Sequence, residues 1–401
     1  MKLHRVTVQA VVNALEEIFV SNRYADKVIE RILKSNPKWG ARDRAFIAEN
    51  VYGIVRNWRF MNFITDNSEY KANKGSLWYI TGAWLFTKEY EIPEWPEFKN
   101  INFHRIIKLI NEAQHLPAIQ QSYPDWLHQL MLSTVGESWY DEMIALNQQA
   151  PLVLRVNTLK TTPAELISQF ESQGITAKPI SESYPDALII NKRVNLFSNP
   201  LFEKGWFEVQ DASSQRVAHF MEIKPGQTII DACAGAGGKS LHIASVLKNK
   251  GKIIAMDKEE WKLKELKRRA NRAGVYNIET QMASPESTQS LFESADCLLL
   301  DVPCSGLGVL KRNPDAKWKL SMDFIEKVQS EQSNILVEYS KMLKQGGFLT
   351  YVTCSILPDE NQKQIQKFLA QNNNYTLLKE QSFSPNLSGF DGFYMALLQK
   401  N

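Results

Sequence analysis

The sequence predicts an α/β chain whose residues 206–401 form a doubly wound parallel sheet, preceded by a small α+β subdomain at 136–205 and an all-α domain at 1–135. Three observations lead there. From Gly226 onward short apolar strand-like runs alternate with helical patterns, which implies parallel pairing, right-handed crossovers and a ligand beyond the carboxyl ends of the strands. Residues 1 to about 120 repeat apolar positions at helical spacing without strand-like alternation. After Ala150-Pro151 the pattern changes to short strand-like runs around one helical stretch.

The 401 residues suffice for two or three domains, and 44% hydrophobic, 10% aromatic and 23% charged residues exclude a fibre or a disordered tail. Four cysteines, at 233, 297, 304 and 354, form no C-x-x-C pair and read as free thiols of a reducing compartment, not as a disulfide scaffold or zinc ribbon. The amino terminus lacks the apolar core of a signal peptide, and no run approaches the roughly 18 apolar residues needed to span a bilayer. The expectation is a soluble, cytoplasmic monomer that binds neither membrane nor metal.

In the first domain Val8, Val11, Val12, Leu15 and Ile18, then Ile29, Ile32 and Leu33, form helical stripes. Arg42, Arg44, Arg56 and Arg59 lie beside Tyr52, Trp58 and Phe60, and residues 1–60 carry 11 Lys/Arg against 6 Asp/Glu. On charge alone that face suits a phosphate backbone and a solvated bundle surface equally well. The subdomain reads as strands at 152–156 and 187–190 around a helix at 162–173. The last domain reads as strands at 228–231, 252–257, 278–282, 297–301 and 348–352, helices at 240–247, 259–273 and 322–343, and edge strands at 375–378 and 393–398. Basic charge concentrates at 239–274, with 11 Lys/Arg against 4 Asp/Glu, and at 311–319, with 4 against 1, in a chain whose net charge is only +3. Both runs read as nucleic-acid contacts beside the site.

Asp231-Ala232-Cys233-Ala234-Gly235-Ala236-Gly237-Gly238-Lys239-Ser240 joins a buried strand to a helix. Glycines there let the backbone approach a ligand, and free N–H groups at the helix start favour polar or anionic groups. A phosphate-binding loop ending at Gly238-Lys239-Ser240 needs glycine at 233, where Cys233 stands; a dinucleotide fingerprint starting at Gly235 needs glycine or alanine at 240, where Ser240 stands. What remains is an acidic strand tip, a Gly-x-Gly-Gly turn, and Asp257 at the next strand tip, where it can accept hydrogen bonds from ribose hydroxyls. An S-adenosylmethionine (SAM) site asks for these features.

Asp301-Val302-Pro303-Cys304-Ser305-Gly306 follows the fourth strand and Thr353-Cys354-Ser355 the fifth, so two thiols and a carboxylate face one crevice. Methylation at carbon 5 of a pyrimidine needs such a set. A thiolate added at carbon 6 makes carbon 5 nucleophilic toward a methyl sulfonium; a base then removes the carbon-5 proton and the thiolate leaves. One cysteine attacks and the other aids release. Asp301 can hydrogen-bond the exocyclic amine and ring nitrogen 3, while Lys239 and the nearby helix start can hold a thiol ionised.

These segments, with Arg155-Val156-Asn157-Thr158, Gln210-Asp211-Ala212-Ser213-Ser214, Asn313-Pro314-Asp315, Lys317-Trp318, Glu360-Asn361 and Asp391-Gly392-Phe393, resemble the Sun/Fmu family of RNA (cytosine-5) methyltransferases over about residues 150–401. The resemblance implies a Rossmann-like class I SAM-dependent fold, Cys354 as nucleophile and Cys304 as the release cysteine. It also implies cofactor contacts at Cys233, Ala234, Gly235, Ala236, Gly237, Gly238, Lys239, Asp257 and Asp301. The chain departs from the family twice: Gly235-Ala236 replaces an Ala-Pro pair in the turn, and the family's adenine-contacting aspartate is missing from Gln281-Met282-Ala283-Ser284-Pro285, leaving Ser284 as substitute. Residues 1 to about 125 resemble the family's NusB-like helical RNA-binding domain, through Arg42-Asp43-Arg44-Ala45-Phe46 and Tyr52-Gly53-Ile54-Val55-Arg56.

The implied partner is ribosomal RNA, at a cytosine that is single-stranded, looped or flipped out. A transfer RNA enzyme of the same family is one alternative. A DNA cytosine-5 methyltransferase would attack through Cys304 and carry a long recognition insert, which this sequence lacks. A catalytically silent RNA-binding or ribosome-assembly protein would be expected to have lost a thiol or Asp301, and all are present.

Overall fold

A computed structural model describes residues 2–191 and 194–401. Two compact units make up the chain, Met1–Gln148 with Leu310–Leu320, and Gln149–Val309 with Ser321–Asn401. In the first, the helical stripes close a core. Helices Arg5–Phe19, Ala25–Ser35, Ala41–Arg56 and Lys74–Thr87 turn Val8, Val11, Leu15, Ile18 and Ile29 inward with Ile47, Val51, Ile54, Trp78 and Leu85.

The aromatics expected beside a phosphate face serve this core instead: Trp58 is buried and stacks on Phe19 at 3.7 Å, and Phe60 packs against the cluster. Three of the four arginines satisfy main-chain acceptors. Arg44 donates to the carbonyls of Leu33 and Trp39, Arg56 to that of Lys311, and Arg59 to that of Tyr123, while Arg42 is exposed. The basic run at 311–319 belongs to this unit and buries Lys311 and Lys317. Lys317 Nζ donates to the Arg56 carbonyl at 2.8 Å and to Asn147 Oδ1 at 3.1 Å, 4.4 Å from the centre of the Tyr123 ring, and burial lowers its pKa well below the ordinary lysine value. A charge that the sequence suggests for nucleic acid is thus an internal support.

The second unit opens with a small antiparallel sheet: β1 (Leu152–Val156), β2 (Ala177–Pro179), β3 (Ala187–Ile190) and β4 (Phe207–Val209), in the order β2-β3-β1-β4. Helix Pro163–Ser172 sets Leu166 and Phe170 in a core with Leu154, Leu188 and Phe207. The large sheet follows: β5 (Thr228–Asp231), β6 (Lys252–Asp257), β7 (Ile278–Met282), β8 (Ala295–Asp301), β9 (Leu343–Thr353), β10 (Tyr375–Phe383) and β11 (Phe393–Lys400). Its order is β10-β11-β9-β8-β5-β6-β7, parallel from β9 to β7 and antiparallel where β11 joins β9 and β10.

Alternate residues feed the two covered faces, Ile229, Cys297 and Leu299 on one and Ile230, Leu298 and Leu300 on the other. Cys297 is a core residue, and burial pushes its thiol up to about 12. The strand order reverses at β5, between β6 and β8, where a doubly wound sheet binds its ligand. Among the described residues no helix is long and apolar enough to cross a membrane.

Candidate active site

A cleft of about 430 Å³ opens at the carboxyl ends of β5, β6, β8 and β9, and Cys233, Gly235, Lys239, Asp257, Asp301, Cys304 and Cys354 line it together. The glycine-rich turn gives its floor a fixed backbone. Gly237 caps helix Gly238–Val246 with φ +82°, and a Cβ there would lie 2.4 Å from Leu266 Cγ, so only glycine fits. Ala234, Ala236, Gly237 and Gly238 shape the turn rather than line the cleft. Ala234 N–H donates to the Met256 carbonyl, and the carbonyls of Ala236 and Gly238 accept from Arg269 and Arg155. Arg155 is itself buried and also donates to Gln210 Oε1, so the Arg155 and Gln210 segments brace the turn from the small sheet.

Asp257, at the tip of β6, accepts from the Gly235 N–H and the Glu259 N–H, each at 2.9 Å, with Lys262 3.4 Å away. These contacts fix the carboxylate where it lines the cleft. Asp301, at the tip of β8, accepts from Lys239 Nζ at 2.6 Å. Burial works against the Lys239 charge, but Asp301, by its charge and its hydrogen bond, outweighs it and raises the Lys239 pKa. Lys239, expected to hold a thiol ionised, has the Asp301 carboxylate as its direct partner. Burial, followed by the charges of Asp231, Asp301 and Asp257, pushes the Cys233 thiol well above its ordinary value.

Cys304 Sγ and Cys354 Sγ stand 3.0 Å apart, in hydrogen-bond contact and unbonded covalently. That contact, then burial, raises the Cys304 pKa well above the ordinary thiol value. Glu360 and Asn361 hold the two cysteine loops against each other. Glu360 accepts from the Ser305 N–H at 2.7 Å, from Ser305 Oγ at 2.5 Å and from Gln332 Nε2 at 3.2 Å, while Asn361 Nδ2 donates to the Ser355 carbonyl at 3.0 Å. The Gly308 N–H donates to the Cys354 carbonyl at 3.0 Å, and the Gly392 N–H to the Gly308 carbonyl at 2.8 Å, joining the closing Asp391-Gly392-Phe393 segment to the same place.

Ser284 does not line the cleft. It caps helix Pro285–Ser290, its hydroxyl accepting from the Ser287 N–H at 3.1 Å. Sequence reasoning missed Lys258, Glu331, Ile335 and Tyr339, which do line it. The helix Met322–Tyr339 was legible as a helix, but nothing in its pattern says which face meets the cleft.

Residues 218–399 match the family model described as 16S rRNA methyltransferase RsmB/F, and residues 123–196 match an RsmF/B-like ferredoxin-like domain. The ribosomal RNA small subunit methyltransferase B of Proteus mirabilis is 32% identical over 391 residues, 90% of this chain and 91% of that protein. The crystal structure of PH0851 matches with a TM-score of 0.83 at 24% identity over 100% of both chains. NSun6 from Pyrococcus horikoshii, solved with SFG, matches with a TM-score of 0.65 at 23% identity over 70% of this chain and 99% of that one. Both structures share the fold, and the sequence matches add the lineage: the chain belongs to the RsmB/F family of 16S rRNA methyltransferases.

Proposed function

We propose that this chain is a SAM-dependent RNA (cytosine-5) methyltransferase acting on ribosomal RNA through a covalent bond between Cys354 and the target cytosine. The observation that carries the reading is the sulfur pair of Cys304 and Cys354, 3.0 Å apart in a cleft that also holds Asp257 and Asp301. SAM fits the donors present: the glycine-rich turn leaves backbone room for its amino-acid tail, Asp257 accepts from its ribose, and it supplies an electrophilic methyl group when bound.

The raised Cys304 thiol stands 3.0 Å away as the partner sulfur, and on the family resemblance the attack falls to Cys354. Its bond to carbon 6 forms as the electron pair of the 5,6 double bond moves to carbon 5, which then accepts the methyl group. Asp301, fixed by Lys239, accepts from the exocyclic amine and so orients the ring with carbon 6 toward the sulfur. A base then takes the carbon-5 proton, the electron pair of that bond restores the double bond, and the carbon-6–sulfur bond breaks with Cys354 leaving as thiolate, a release that we assign Cys304 to aid by donating a hydrogen bond to the departing sulfur. Ribosomal RNA as substrate draws support from the family's description and from the name of the Proteus mirabilis relative. The division into 1–135, 136–205 and 206–401 belongs to the same reading, with the helical domain as an RNA holder.

The test is methyl transfer from labelled SAM to ribosomal RNA, with transfer RNA as a parallel substrate. Cys354→Ala should give no product, and Cys304→Ala a covalent RNA adduct that resists denaturing gels. Full activity of Cys354→Ala would sink the role assignment, and label on adenine would sink the reaction.

A further inference from the structure

Outside the cleft, three side chains of the second unit converge from separate segments. Asp186 precedes β3, His219 lies near the end of helix Ala212–Phe220, and His242 sits on helix Gly238–Val246, which begins at the glycine-rich turn. Asp186 Oδ2 is 2.8 Å from His219 Nε2 and 2.8 Å from His242 Nε2, and one ligand atom from each residue lies within 4.8 Å of the others. The two imidazole rings cross at 81° with centroids 5.2 Å apart.

Two imidazoles bound through Nε2 at about 2.1 Å to one tetrahedral ion have ring centres about 5 Å apart, and neighbouring ligand atoms about 3.3 Å apart. The rings already hold that spacing, and each N···O contact needs to open by only about half an ångström.

We propose that Asp186, His219 and His242 bind a divalent transition-metal ion of the zinc class, with water completing the sphere on the side where the His219 side chain is 34% exposed. The site is independent of the proposed methyl transfer. Its ion would tie the small sheet to both helices, including the one that carries the cofactor turn. His242 Nδ1 has no hydrogen-bond partner, so the outer support typical of metal-bound histidine is missing on that side, and binding should be weaker than at a four-ligand structural site.

The test titrates Co²⁺, then Zn²⁺, into the full chain carrying Cys304→Ala and Cys354→Ala, which removes the cleft thiols as competing ligands. Expected are one Co²⁺ per chain with the visible absorption of tetrahedral coordination, displacement by Zn²⁺, and a Zn²⁺-dependent rise in Tm. Adding His219→Gln, which keeps a donor toward Asp186 but offers no metal nitrogen, should abolish all three while leaving the metal-free Tm near its starting value. Asp186→Asn should likewise abolish binding. No stoichiometric uptake by the parent chain, or uptake that survives either substitution, overturns the proposal.

Discussion

Asp231 ends β5 fully buried, with Ser240 Oγ donating to Oδ2 at 2.6 Å and Oδ1 without a partner. Burial, only partly offset by the Ser240 hydrogen bond, pushes its carboxyl up to about 7. The native state therefore keeps a proton that the unfolded chain releases near pH 4, and stability from this group falls as pH rises from about 4 to about 7. Asp231→Asn should flatten that fall, by on the order of a few kcal/mol across the window. Chemical denaturation at pH 5 and pH 7.5 reads it, and equal slopes in parent and variant would mean that the carboxyl is ionised in the fold. At this scale the sequence was informative about identity and blind to environment. It singled out Cys304, Cys354 and Asp301, yet the 3.0 Å contact that raises the Cys304 thiol joins residues 50 positions apart.

Elements placed at strand ends were legible because periodicity and the glycine-rich turn are local signals. All seven strands of the large sheet coincide in position with apolar runs read from the sequence, whereas β2 and β4 are three residues each, too short to show a period. Two glycines separate the functions of these elements. Gly237→Ala would force a side chain into left-handed backbone against Leu266, so SAM affinity measured by calorimetry should drop with a lowered Tm. A Cβ on Gly308 would lie 2.1 Å from the Gly392 carbonyl oxygen and 2.8 Å from that of Cys354, displacing the Cys354 loop. Gly308→Ala should therefore lower methyl transfer while SAM still binds. The reverse pattern would show that the turn and the cysteine loop are not separate devices.

For the whole molecule, the informative fact is that Leu310–Leu320 leaves the second unit's sequence to complete the first. Lys317 bonds Arg56 and Asn147, Trp318 Nε1 donates to the Val55 carbonyl at 2.7 Å, and the Ala25 N–H donates to Asp315 Oδ2 at 3.0 Å. Deleting residues 1–148 strips a buried ammonium and an indole of these partners. The truncated chain should aggregate at concentrations where the full chain is soluble, by light scattering, and removing 310–320 as well should relieve this. Equal solubility of both truncations would mean that the segment packs independently of the first unit.

By itself the sequence determined the alternation of strands and helices, the glycine-rich turn and the placement of two thiols and two carboxylates at strand ends, because each is written in a period or in adjacent residues. Only the tertiary structure decided which charges remain free. Arg56 meets the Lys311 carbonyl across 255 residues and Lys317 meets Asn147 across 170, so two of the four basic residues in a run that looks like an RNA surface, Lys311 and Lys317, become interior. The same holds for Glu360 beneath the cysteine loops and for Asp186 between two histidines. Their partners are fixed by strand order and helix packing, which bring distant residues within hydrogen-bond reach and leave no local spacing to read.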